Sequence, residues 1–183
     1  MAKKNRIRII AIIVAVILVV VGIGIGVALI LKGSREKTPI DLTKEYLEQY
    51  KNCDSEIVAK IKYPFDDELT KAQKAKYKEI IKSQYMALDY EITEEHVGEI
   101  DAIIKVQFNV LDYKASYEKA NSYLRLYGKD KKEEKKVDYK IKEMEHTQEK
   151  ETYSIEFTYH KLDGKWHRMD LTETDLAKLA GVF

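Results

Sequence analysis

Residues 9–31 form a run of 23 consecutive residues without a charged side chain, near the start of a chain of 183 residues. A helix of this length rises roughly 35 Å, which is enough to cross the hydrocarbon core of a bilayer, about 30 Å thick. We therefore predict one transmembrane helix at 9–31, with the lipid bilayer as its partner. A tail at 1–8 precedes it, and a polar tether at 32–38 follows it.

The charges beside this run predict its orientation. Lys3, Lys4, Arg6 and Arg8 crowd the eight residues before it, whereas the cations after it are more widely spaced and mixed with acids. A short basic tail before a first apolar segment is typical of a signal anchor whose N-terminus stays in the cytoplasm. We expect a single-pass protein of the cell membrane with residues 39–183 outside the cell; the opposite orientation is the alternative.

Two rival interpretations of the apolar run fit this sequence less well. A cleaved signal peptide would have a shorter apolar region and a small-residue cleavage site, which this sequence lacks. A lipoprotein would need a cysteine directly after the run, but the only cysteine is Cys53. Gly22 and Gly26 form a GxxxG pattern that could pair two helices into a homodimer, although small residues also occur in ordinary spans.

The residues beyond the run are enough for one domain, which we place at 39–183. They and the tether carry 28 basic and 31 acidic residues, a formal charge of −3, without the basic stripe of a nucleic-acid-binding protein. A single cysteine cannot form an intrachain disulfide. Cys53 is therefore interpreted as a half-buried small residue, with a redox or catalytic thiol as the alternative.

Apolar periodicity predicts the secondary structure of this domain. Helical spacing indicates helices at 41–51, around Ile57 to Ile61, and at 68–87, 113–127, 136–149 and 172–180; alternation indicates strands at 88–93, 100–110 and 153–162, with a loop in the charged run 128–136. Asp66 and Asp67 are expected at the positive end of the third helix. Its row of Lys71, Lys74, Lys78 and Lys82 is interpreted as a solvated face, with an anionic lipid contact as the alternative.

Asp163-Gly164 marks a β-hairpin after the last of these strands. A two-residue loop would set His160 opposite His167, a plausible pair of zinc ligands. A three-residue loop with a bulge keeps the apolar face continuous and sends the two histidines to opposite faces, so we choose that register. His96 and His146 have no ligand spacing relative to this pair, and no metal site or cofactor is predicted.

The order of helices, strands, a helical insert, strands and a closing helix predicts an α+β fold with a curved antiparallel sheet. The strand from Tyr153 to Tyr159, the Asp163-Gly-Lys-Trp166 turn and the terminal Leu171-Thr-Glu-Thr-Asp175 segment resemble the NTF2-like cone fold. The chain is similar in particular to small bacterial extracytoplasmic domains of unknown function that follow a signal anchor. The helical insert at 113–149 departs from that family's usual strand order.

No motif in the sequence carries chemistry. The favoured interpretation is a non-catalytic extracytoplasmic domain that binds a protein partner, an envelope component or a small apolar ligand. Tyr90, Phe108, Phe157 and Tyr159 are the candidate cavity lining, and the same four side chains could simply be core. The alternative, implied by the NTF2-like resemblance, is an isomerase or dehydratase that uses a carboxylate such as Asp112 or Asp170 in an apolar cavity.

Overall fold

A computed structural model describes residues 36–63 and 69–183. The predicted transmembrane segment 9–31, with Gly22 and Gly26, lies outside this described part, as do Asp66 and Asp67. Within the described ranges no helix is both long and apolar enough to cross a bilayer.

Helices and strands follow one another in the order that periodicity predicts, and the mixed α and β composition is confirmed. The elements are α1 (Pro39–Lys51), α2 (Ser55–Ala59), α3 (Lys71–Met86), β1 (Asp89–Val97), β2 (Asp101–Leu111), α4 (Tyr113–Tyr127), α5 (Glu133–Glu145), β3 (Lys150–Leu162), β4 (Lys165–Arg168) and α6 (Glu173–Leu179).

The four strands form one antiparallel sheet in the order β1-β2-β3-β4. Side chains alternate between its two faces, so the covered face of β2 carries its even-numbered residues and that of β3 its odd-numbered ones. Val106 pairs with Ile155 and Ile104 with Phe157 across this face, and all four are almost fully buried. Polar residues occupy most of the opposite face, which is the pattern of a sheet covered on one side.

Helix α1 packs on the covered face, against β2 and β4. Its start is fixed by a capping box in which Thr38 and Asp41 bond each other's backbone amides, with Pro39 as the first helical residue. Leu47 and Tyr50 point from α1 into the core. The side of α1 that carries these two residues therefore faces the core of the domain.

Several helix starts differ from the predictions, those of α3 and α5 by three residues each. Helix α3 begins at Lys71 rather than at 68, because Thr70 and Gln73 form a capping box there. Helix α5 begins at Glu133 rather than at 136, so the second half of the charged run is helical and not a loop. Glu133 and Glu134 then stand in the first turn, where the helix dipole favours acids.

The predicted register of the β3-β4 hairpin is wrong. Tyr159 pairs with Arg168, and His160 pairs directly with His167. Asp163 and Gly164 both have positive φ, at 50° and 80°, as a two-residue type I′ turn requires. This turn matches the strand twist, so it prevails over continuity of the apolar face: Arg168, and not Met169, lies on the covered side.

Helix α6 closes the domain as predicted, with Thr172 and Asp175 forming its capping box. Gly181 ends it in a left-handed conformation, at φ 69°, where the amides of Gly181 and Val182 bond the carbonyls of Lys178 and Ala177. The Gly181 carbonyl accepts a hydrogen bond from the Lys114 amide. The end of the chain is thus tied to the start of α4.

Candidate functional site

A cavity of about 230 Å³ lies among α1, α2, α3 and α6. Its walls are mainly apolar, and the aliphatic side chains come from α2, from the residues after it and from the last helix and its end. The aliphatic lining residues are Ile57, Ile61, Leu176, Ala177, Ala180 and Val182. Such a lining, with a few polar groups, is typical of small-molecule sites.

Three tyrosines complete the wall: Tyr50 from α1, Tyr85 from α3, and Tyr63. The rings of Tyr50 and Tyr85 meet edge to face, with centroids 4.9 Å apart. Both residues are nearly inaccessible, with relative exposures of 1% and 4%. Burial raises the pKa of both phenols far above the ordinary value, so both hydroxyls are neutral hydrogen-bonding groups at physiological pH.

The two buried hydroxyls differ in their partners. The Tyr50 hydroxyl lies 3.2 Å from that of Tyr46 one turn earlier, within hydrogen-bond distance. No hydrogen bond of the Tyr85 hydroxyl occurs within residues 36–63 and 69–183. The Tyr85 hydroxyl is not fully enclosed, so water or another small molecule can reach it as a hydrogen-bonding partner.

Charged side chains lie where this cavity meets solvent. Lys60 and Lys62 follow α2, and Glu173 is the first residue of α6. The Lys62 Nζ lies 2.5 Å from a Glu173 carboxylate oxygen, so an ion pair spans from one wall to the other. The cavity is therefore lined mainly by aliphatic and tyrosine side chains, and its mouth carries charged side chains.

A second groove of about 350 Å³ adjoins this cavity and shares Ile57 and Lys60 with it. Here the Arg168 guanidinium lies 3.7 Å from the centroid of the Tyr46 ring, a cation–π contact. Because the Tyr46 hydroxyl is next to that of Tyr50, β4 is connected through Tyr46 to the wall of the first cavity.

The four side chains predicted to line a cavity lie elsewhere. Phe108, Phe157 and Tyr159 are completely buried in the core between α1 and the sheet, and Tyr90 packs against this core from β1. The Phe108 ring contacts those of Tyr90 and Phe157, and the Phe157 ring contacts that of Tyr46, with centroid distances of 6.1–6.4 Å. The cavity described above has a different lining, and a ligand-binding role for these four residues stays a prediction.

Tyr85 is a wall residue that the predictions from sequence missed. Tyr77, Ile81 and Tyr85 recur every four residues, and all three are buried. This spacing is the signal that could have found the second tyrosine of the wall.

The observed hairpin register removes the geometric argument used against a histidine pair. His160 and His167 are direct cross-strand partners, and the His160 Nδ1 contacts the Asp101 carboxylate on the neighbouring strand. Within the described ranges, however, no group of three or more histidine, cysteine or acidic side chains could hold a metal ion.

The other candidate catalytic residues named from the sequence are Asp112, Asp170 and Cys53. Asp112 caps α4 by accepting a 2.8 Å hydrogen bond from the Ala115 amide, and Asp170 is exposed beside Arg168. Cys53 is half-buried, as interpreted, and has the unusual φ of 51° at the end of α1. Its thiol lies 3.6 Å from the Lys82 carbonyl, and burial raises the pKa of that thiol.

No protein-family model matches this chain, and no curated protein matches it. Among solved structures, the chain is similar to YcdA, a candidate lipoprotein from Bacillus subtilis subsp. subtilis strain 168. The identity is 14% and the TM-score 0.32, over 80% of this chain and 47% of that one. The chain thus spans about half the length of YcdA, and a TM-score this low does not show a common fold.

Proposed function

We propose that residues 39–183 are a non-catalytic domain that binds a small, largely apolar ligand. The observation that supports this function is the mainly apolar cavity, whose lining includes Tyr85, a tyrosine whose hydroxyl bonds no other described residue. A ligand with one hydrogen-bonding group would fill the cavity and bond the Tyr85 hydroxyl.

The size of the cavity limits the ligand. Ligand pockets typically measure about 300–1,000 Å³, and a cavity of about 150 Å³ can hold benzene. By that proportion, the 230 Å³ found here would take a ligand of about nine non-hydrogen atoms. One aromatic ring with a short polar substituent has this size.

We further propose that the domain belongs to the NTF2-like fold and is held outside the cell by a transmembrane helix at 9–31. A four-stranded antiparallel sheet with helices on one face supports the first part. The uncharged run of 23 residues behind a basic tail supports the second.

Ligand binding can be tested with benzyl alcohol, a ring with a single hydroxyl, on the full chain in lipid nanodiscs by saturation-transfer NMR. We expect transfer to the ligand above the level of empty nanodiscs, and its loss in Ala177→Phe, which fills the cavity. Ala75→Phe is the matched control, because Ala75 is exposed on α3 away from the cavity lining. Equal transfer in both variants would contradict binding at this site.

The same assay can test the alternative site, which is lined by the four residues predicted from sequence. Phe108→Leu changes the core beneath the sheet and leaves the lining of the described cavity intact. Once binding is corrected for the folded fraction, we expect Phe108→Leu to retain the benzyl alcohol signal. Loss of the signal in Phe108→Leu, with retention in Ala177→Phe, would move the site to the four residues predicted from sequence.

The topology needs a separate probe because the Cys53 thiol is half-buried with a raised pKa. In a Cys53→Ser background, Lys129→Cys places a thiol in the exposed turn between α4 and α5. We expect a membrane-impermeant maleimide to label this variant on intact cells. Labelling that appears only after lysis would place the domain in the cytoplasm.

A further inference from the structure

Within residues 36–63 and 69–183, the side chains that line the mouth of the cavity carry an excess of positive charge. Lys60, Lys62 and Glu173 are the charged residues of its lining. The side chains of the Lys62–Glu173 pair are 70% and 82% exposed, and Lys62 lowers the pKa of the Glu173 carboxyl. An ion pair this exposed contributes little to stability, so an incoming group could replace either member at small cost.

Lys60 supplies a second cation at the same place. Within residues 36–63 and 69–183 its ammonium group makes no ion pair, and it borders both the cavity and the adjoining groove. An anionic ligand group would therefore meet Lys60 directly and Lys62 after exchange with Glu173. Among the described lining residues, a cationic group would meet one carboxylate, that of Glu173, against two lysines.

We infer that the cavity selects ligands with an apolar body and an anionic group, such as small aromatic carboxylates, and that the carboxylate replaces Glu173 as the partner of Lys62. This inference rests on the proposed function. The ring would occupy the space between Tyr50, Tyr85 and α6. Its carboxylate would remain at the mouth, where charge-assisted hydrogen bonds to ammonium groups are stronger than neutral ones.

The test compares benzoate, benzamide and benzylamine, which share one ring and differ in charge. Saturation-transfer titrations of the full chain in neutral-lipid nanodiscs at neutral pH give the three dissociation constants. We expect benzoate to bind at least about tenfold more tightly than benzamide, as one charge-assisted bond would provide. Benzylamine should bind most weakly, and Glu173→Gln should tighten benzoate binding because it removes the competing carboxylate.

The source of the preference is tested with two double variants. Lys60→Gln with Lys62→Gln should bring benzoate to within about twofold of benzamide. Lys71→Gln with Lys78→Gln removes the same charge from exposed or half-exposed positions on α3 outside the lining, and should leave the benzoate preference unchanged.

The outcomes separate the two proposals. Equal affinity for benzoate and benzamide, tighter binding of benzylamine, or a benzoate preference that survives the Lys60/Lys62 double variant would overturn the anion inference while the cavity remains a binding site. Failure of all three probes and of benzyl alcohol to bind would overturn the proposed function, and the anion inference with it.

Discussion

Tyr159 in the sheet donates a buried hydrogen bond to Thr43 in α1, with 2.6 Å between the Tyr159 Oη and the Thr43 Oγ1. The direction follows from Thr43, whose hydroxyl proton is directed to the Pro39 carbonyl at 2.9 Å. Both side chains are completely buried. Helix α1 is thus joined to the sheet by a polar contact within an otherwise apolar interface.

Because of this hydrogen bond, we expect substitutions of Thr43 and Tyr159 to lower the free energy of unfolding by different amounts. Thr43→Val leaves the Tyr159 hydroxyl buried without an acceptor and should lower the free energy of unfolding by about 1–3 kcal/mol. Tyr159→Phe leaves Thr43 bonded to Pro39 and should cost about 1 kcal/mol. In urea denaturation, the double variant should lose less than the sum of the two; strictly additive losses would contradict the contact.

Two glycines with positive φ should respond differently to alanine. At Gly164 a Cβ would enter open space, so Gly164→Ala costs only the left-handed backbone strain, about 1–2 kcal/mol. At Gly181 a Cβ would lie 2.1 Å from the Leu111 carbonyl oxygen, so Gly181→Ala should cost at least about 3 kcal/mol. Thermal unfolding measures both, and equal losses would show that α6 moves freely away from β2.

Tyr85→Phe should not destabilise the protein. Its hydroxyl has no hydrogen bond within the described residues, so removing it leaves no partner unsatisfied and should raise the free energy of unfolding by up to about 1 kcal/mol. The same variant should weaken benzyl alcohol binding. A stability loss like that of Tyr159→Phe in chemical denaturation would instead indicate a hydrogen bond at Tyr85 in the unliganded protein.

The buried tyrosines predict unfolding at high pH. Burial raises the pKa of Tyr113 to about 12, and also raises the pKa of Tyr50, Tyr77 and Tyr85. Unfolded tyrosine titrates near pH 10, so above about pH 10 the unfolded chain loses protons that the folded chain keeps. Stability is therefore complete below about pH 10 and falls as the pH rises.

Each such tyrosine contributes a slope of up to about 1.4 kcal/mol per pH unit. Tyr113→Phe should make the decrease shallower by that amount in urea titrations between about pH 10 and pH 12. Tyr127→Phe, at an exposed position, serves as the control and should leave the slope unchanged. Identical slopes for the wild type and Tyr113→Phe would contradict burial of this phenol in the folded state.

Local signals predicted the elements of this fold well where caps and periodicity agree. Helix α4 begins and ends at the predicted residues because Asp112 caps one end and Gly128 follows the other. The hairpin was located by Asp163-Gly164 but given the wrong register. The rule of a continuous apolar face excludes an inward cation, whereas Arg168 lies there on the Tyr46 ring.

The candidate site could not be predicted from local sequence patterns. Its walls come from α1, α2, α3 and α6, so residues between positions 50 and 182 meet in one cavity. Periodicity can show that Tyr50 is buried, but not that Tyr85 lies against it or that Lys62 reaches Glu173. The first relationship depends on how α1 packs against α3 and the second on how α6 packs, and no sequence spacing specifies either.

The part played by α6 in the cavity wall has a consequence for biogenesis. Leu176, Ala177 and Ala180 supply one side of the cavity, and they are synthesised long after α1 and α3. The cavity therefore forms only when α6 docks against the helices made before it, and a bound ligand would oppose the undocking of α6 by mass action. A ligand would therefore bind at this site only in molecules whose α6 has docked and whose domain is completely folded.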